Sequence, residues 1–230
     1  MDSGREILFE LKEFRAEAGD LRPGFGAYDP YGPLREKIEA GRKKFKDLDR
    51  YCCCLVLYNR DKPLVHLEWQ FIYGAMLGNV GFSVPIHVPG QVEPADKEIR
   101  NIFMAGGKMH REQNGVPVAP QNQTISAVLV LQHVRVGERR FMADLRNREK
   151  ERGKKFELEE FWEELRKAHG TERDVSLRQL RVIVHENPYA RLPLTRELFR
   201  GPYDERYGGE EGRIQRVFQG DEIAKLPEVH

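Results

Sequence analysis

Glu10 and Lys12 stand two positions apart in the run E-I-L-F-E-L-K-E-F over 6–14. On a strand, alternate side chains share a face, so this spacing sets a carboxylate beside an ammonium. Such a pair can hold a divalent cation through oxygen and can position a water or steady the charge of a phosphate. A cation held by one carboxylate alone is held weakly. Glu6, four positions earlier, and Glu36, in the first turn of a following helix, are the candidate further ligands. Lys37 and Lys44 lie along the flank of that helix and are candidates to meet phosphate. A second basic feature runs from Arg135 to Lys155, with nine Lys or Arg against four Asp or Glu. Arg139, Arg140, Arg146 and Arg148 are its candidate contacts to a phosphate backbone. Phe141 is the one aromatic within it, so base stacking is not suggested.

Other chemistry-bearing residues have simpler readings. Cys52, Cys53 and Cys54 are consecutive, so neighbours project to opposite faces, and they read as small buried apolar side chains. Gly106-Gly107-Lys108 lacks the spacing of a phosphate-binding loop. The segment 120–124, P-Q-N-Q-T, suits turn chemistry, with base reading the less favoured use. His185 closes a strand with no serine or cysteine motif around it and reads as structural. Phe199 to Asp204 reads as a fixed turn packing its aromatics.

The elements that must position these residues follow from hydrophobic periodicity. The period of two over 6–14 predicts a strand. Pro33 opens a predicted helix whose Leu34, Ile38, Phe45 and Leu48 form one apolar stripe with Gly41 on the same line. The continuous apolar run from Tyr51 to Tyr58 predicts a central strand covered on both faces. A second helix is expected over 63–77 and a short strand over 82–88. Residues 105–123 read as a long Gly-, Asn- and Gln-rich loop. Residues 116–134 contain no Lys, Arg, Asp or Glu, and 124–134 is expected to be a buried strand. A helix over 157–169 should turn Phe161, Trp162 and Leu165 inward, and a strand should cover 180–185. Alternating strands and helices predict an α/β domain, or a mixed α+β one, with a central sheet flanked by helices. The expected organisation is a single domain over 1–186 and a Pro-, Gly- and Arg-rich tail over 187–230 packed on it.

The order of an E-x-K strand, a helix and a buried strand over the first 60 or so residues resembles the PD-(D/E)xK, or restriction-endonuclease-like, nuclease superfamily. The resemblance implies a restriction-endonuclease-like core and a magnesium-dependent hydrolase of nucleic-acid phosphodiesters. Glu10 would hold Mg2+ and Lys12 would orient the attacking water. Lys44 stands where many relatives carry a glutamine. An aspartate on a preceding strand completes the metal site in that superfamily, and only nine residues precede Glu10 here. Three readings follow: the aspartate lies upstream of Met1, a downstream acid replaces it, or the site is degenerate. The last makes the chain a non-catalytic interaction or scaffold protein, a subunit of a larger assembly. The remainder resembles bacterial proteins of the same layout without an assigned activity.

Composition narrows the classes further. The chain has 230 residues, 40% apolar and 33% charged, with a net charge of +1. That is enough apolar sequence for a core, and too little net charge for bulk attraction to nucleic acid. No run of about 18 apolar residues could span a membrane. Clustered, odd-numbered cysteines and the lack of a charged-then-apolar leader make a cytoplasmic protein the expectation. Nucleic acid, a second copy or another protein are the expected partners.

Overall fold

The computed structural model describes residues 6–16, 29–78, 80–83, 100–103, 106–113, 116–169, 174–209 and 214–226. Asp2-Ser3-Gly4 reads in the sequence as a hairpin turn, and Phe25 and Tyr28 as aromatic anchors of a loop over 15–32; all five residues lie outside the described ones.

The first strand, β1 (Ile7–Phe14), follows its period of two. Leu8 and Phe14 pack into the core, while Phe9 and Leu11 on the opposite face are 51% and 61% exposed. Helix α1 (Gly32–Phe45) begins with Pro33 in its first turn, where the missing N–H costs nothing. It buries Leu34, Ile38, Gly41 and Phe45, the expected stripe. Strand β2 (Cys52–Asn59) is buried from Cys52 to Leu57 and runs parallel to β1, with Glu10 opposite Leu55 and Lys12 opposite Leu57.

Helix α2 (Trp69–Leu77) starts six residues later than the apolar pattern predicts. The Asn59 side chain is the cause. Its amide donates to the carbonyls of Lys62 and Val65, each at 3.1 Å, and its oxygen accepts from Lys62 N at 3.0 Å. This gives the backbone an alternative to helical hydrogen bonds. Leu64 takes a left-handed φ of 60° in the same loop.

Two small antiparallel pairs follow, β3 (Val80–Ser83) with β4 (Arg100–Phe103), and β5 (His110–Gln113) with β6 (Val116–Pro120). The first replaces the start of the strand expected over 82–88, and 84–88 lie outside the described residues. The second corrects the expectation of a loop over 105–123. Pro117 and Pro120 read as breakers, yet a two-stranded ladder has only edges, and edges tolerate a residue that cannot donate.

Strand β7 (Ile125–Val134) runs parallel to β2 and is buried from Ile125 to Val130. The basic stretch forms helix α3 (Val136–Arg152), ended by Gly153 in the left-handed conformation. Helix α4 (Leu158–Ala168) opens with a reciprocal capping box between Glu157 and Glu160. None of its residues is buried, and Trp162, expected to face inward, is 51% exposed. Next come β8 (Gln179–Glu186), β9 (Glu205–Gly208), β10 (Gln215–Gln219) and the short helix α5 (Asp221–Ala224). The Pro- and Arg-rich C-terminal stretch thus contributes two strands and a helical turn.

The architecture is mixed α/β, with a six-stranded, mostly parallel sheet in the order β1-β2-β7-β8-β9-β10. The chain divides into two compact units. The first holds 1–131, 183–198 and 206–217; the second holds 132–182, 199–205 and 218–230. In the first, α1 and α2 cover one face of β1, β2 and β7 through Leu34, Ile38, Ile72, Met76, Leu55, Leu57, Val128 and Val130. The second has its own small cluster of Val134, Val136, Ile223 and Leu226, with Tyr203 packed against it. There the Asp204 carboxylate accepts from Gly201 N and Val182 N, both at 2.8 Å, and so fixes the G-P-Y-D turn.

Candidate functional site

Glu10 and Lys12 meet on the helix-covered face of β1. Lys12 Nζ donates to Glu10 Oε1 at 2.7 Å, and the two side chains are 19% (Lys12) and 30% (Glu10) exposed. Two residues along the same face, the Phe14 ring receives the Lys37 ammonium at 5.4 Å from its centroid. Lys37 therefore lies on the flank of α1 that approaches β1. Gly41, on the apolar stripe, is buried. A Cβ there would come within 3.0 Å of a Leu55 methyl, so the glycine lets α1 settle onto β2. Lys44 is exposed.

Glu6 and Glu36 are both exposed. Glu36 sits two positions from the buried Leu34 and Ile38, which turns it to the outer face of α1. Among the described residues no three His, Cys, Asp or Glu side chains are grouped so as to hold a metal ion, so Glu6, Glu10 and Glu36 do not form a shared set. Asp2, the other acid ahead of Glu10 in the sequence, lies outside the described residues.

The arginines of α3 are partly committed to partners. Arg148 pairs with Glu164 at 2.7 Å and Arg152 with Glu160 at 2.9 Å, and both guanidiniums lie over the Phe156 ring. Arg135 pairs with Glu138 at 3.1 Å. Arg140 is exposed, and Arg139 and Arg146 are half-buried. The pairs hold Glu160 and Glu164 below the usual carboxylate range, chiefly through the hydrogen bonds from Arg152 and Arg148.

The remaining candidates are structural. Cys52, Cys53 and Cys54 form no disulfide and are buried. Burial pushes the Cys53 thiol up to about 11, and Cys54 is raised by a hydrogen bond with Cys52 and by burial. Lys108 N and Met109 N donate to Ala75 O and Met76 O at the end of α2, so these amides do not face outward as a phosphate cradle would require. His185 is buried, edge-on to Tyr73 at 5.4 Å and stacked on Tyr207 at 5.5 Å.

No local pattern in the sequence marks the polar pair beside His185. Arg206, 1% exposed, donates to Glu186 Oε1 at 2.8 Å and to the carbonyls of Thr195 and Leu198 at 3.0 and 3.1 Å. Tyr73 Oη lies 2.9 Å from Tyr207 O and 3.2 Å from Glu186 O, and burial pushes its phenol well above the ordinary value. Gly208 is required here, since a Cβ would lie 2.2 Å from Glu186 Oε2. The two terminal amino groups of Arg206 are thus directed at protein acceptors, while its Nε is buried with no hydrogen-bond partner among the described residues.

The fold and site define a mixed α/β protein with one half-buried carboxylate–lysine pair. The chain matches no protein-family model, no curated protein and no solved structure.

Proposed function

We propose that the protein is a nuclease-like protein acting on phosphodiesters of nucleic acid, with Glu10 and Lys12 at its reacting centre. The observation that carries this reading is the 2.7 Å contact between Lys12 Nζ and Glu10 Oε1 in a position more than two-thirds shielded from water. Desolvation strengthens the attraction of an ammonium for phosphate, and a neighbouring carboxylate fixes where it points. Lys12 would neutralise charge developing on the phosphate, and Lys37 would add a second cation along the same face. Glu10 uses one carboxylate oxygen on Lys12, and its other oxygen is the acceptor left for a water proton or a cation. Magnesium would supply charge neutralisation and an acidic bound water, but the described residues offer it one carboxylate, short of a full set.

The test is cleavage of single- and double-stranded DNA and RNA with and without magnesium. Cleavage by the parent protein, lost in both Glu10→Ala and Lys12→Ala while their thermal unfolding is unchanged, supports the reading. A second reading, a binding protein without cleavage, is favoured by the dispersal of Glu6 and Glu36 away from Glu10. Saturable nucleic-acid binding with no cleavage under any metal condition would select it.

A further inference from the structure

A concavity of about 300 Å3 opens in the first unit between the end of α1 and the turn that leads into β7. Its lining includes three cations, Arg42, Lys46 and Arg191, and the polar side chains of Gln121 to Thr124. Among the described residues no carboxylate and no aromatic ring belongs to the lining, although Glu39 and Asp49 pair with two of its cations. None of the Glu10–Lys12 residues belongs to it either.

Hydrogen bonds within the protein hold the turn. Gln121 N donates to Met109 O at 2.8 Å, Ile125 N to Asn122 O at 3.1 Å, and Arg191 N to Gln123 O at 2.8 Å. Asn122 Nδ2 donates to Lys108 O. Asn122 itself adopts a left-handed φ of 54°, a turn conformation that asparagine tolerates better than other side chains. Two of the cations are oriented from outside the concavity. Arg42 donates to Glu39 through Nε, at 3.1 Å, and through Nη2. Arg191 Nη1 lies 2.8 Å from Asp49. Each guanidinium keeps N–H groups that those carboxylates do not use. Arg42 holds Glu39 below the usual carboxylate range, with Lys108 and Lys43 adding to the effect. Lys46 adds an exposed ammonium.

We infer that this concavity binds a phosphate monoester of small size, recognised by Arg42, Lys46 and Arg191 at the phosphoryl group and by the amide and hydroxyl side chains of 121–124 at neighbouring hydroxyls. Cations from the end of α1 and from Arg191, set around a hydrogen-bonded turn, suit a dianion, because little ordering is left for binding to impose. The volume is at the small end of ligand pockets, which fits a sugar phosphate. The absence of an aromatic lining leaves no platform for a stacked base.

The test is an amide-resolved NMR titration of the full chain with inorganic phosphate, ribose 5-phosphate and a single-stranded oligonucleotide, at constant ionic strength. Saturable shifts centred on 121–124 are expected for both small ligands, about tenfold tighter for ribose 5-phosphate. Lys46→Gln and Arg191→Gln each weaken binding about fivefold or more. Both positions are exposed, so the spectra of the variants remain those of the folded protein. Glu10→Ala binds as the parent does, which separates this site from the nuclease-like reading. Shifts reproduced by chloride alone, variants that bind like the parent, or saturation by the oligonucleotide only would each overturn the inference.

Discussion

A guanidinium as deeply buried as that of Arg206 is tolerated because Glu186 and two carbonyls accept from its two terminal amino groups, although its Nε has no hydrogen-bond partner among the described residues. Removing one side of such a pair costs more than the pair contributes, since the other charge is left poorly compensated. Arg206→Ala is therefore expected to lower unfolding stability by about 3 kcal/mol in urea titration. A loss under about 1 kcal/mol would show that water reaches Glu186 once the arginine is gone. The cysteine run carries a pH prediction. Burial raises the Cys53 thiol from 9.0 to about 11, so the unfolded chain releases that proton at a lower pH than the folded one. Stability is complete below pH 9 and falls between pH 9 and 11, and the raised phenol of Tyr73 extends the fall in the same direction above its ordinary value of 10.0. A urea midpoint that stays level from pH 8 to 11 would contradict this burial. The cysteines' role was legible because an apolar run around them has no plausible ligand. Arg206 was not, because its partners lie 8 to 20 residues away across a turn whose path no local pattern specifies.

At the scale of elements, α2 packs against the segment ahead of α1 through a glycine. A Cβ at Gly74 would fall 2.3 Å from the Tyr31 ring, which is also near Phe71. Gly74→Ala improves helix propensity by about 1 kcal/mol but forces that ring to move, and overpacking of this kind costs about 1–3 kcal/mol. Net destabilisation is the expected result in thermal or urea unfolding. A more stable variant would mean that Tyr31 yields freely. Elements with long, consistent patterns were legible: the Leu34-Ile38-Phe45 stripe, the run over 52–57 and the uncharged stretch that becomes β7. Short elements were not. The Asn59 side chain competes for the backbone of 60–66, and β5 and β6 carry prolines and polar residues that resemble loop chemistry. Helix α4 has a strongly one-sided pattern, yet Trp162 remains half exposed, because periodicity marks which residues share a face without specifying what covers it.

At the scale of the whole molecule, the charges nearly cancel, so attraction to nucleic acid has to come from local surfaces. Among the described residues no helix is long and apolar enough to cross a membrane. On α3, Arg148 is held by Glu164, while Arg139, Arg140 and Arg146 are the better candidates to meet phosphate. Replacing all four with glutamine should reduce the slope of log affinity against log salt by roughly 2–3, at nearly one unit per phosphate contact for the three that no carboxylate among the described residues holds. Fluorescence anisotropy across a KCl series reads this slope, and an unchanged slope would place those arginines in water only.

Whether Glu10 receives a cation is the most direct question for the nuclease-like reading. Manganese is a paramagnetic substitute for magnesium, and it broadens amide signals within reach of the bound ion. Titration of the full chain is expected to broaden the amides of Glu10 to Lys12 and of their β2 neighbours Leu55 to Leu57 first, and Glu10→Ala should abolish that pattern. Broadening that is absent from these strands, or that persists unchanged in Glu10→Ala, would contradict the assignment of Glu10 and Lys12 as the reacting centre.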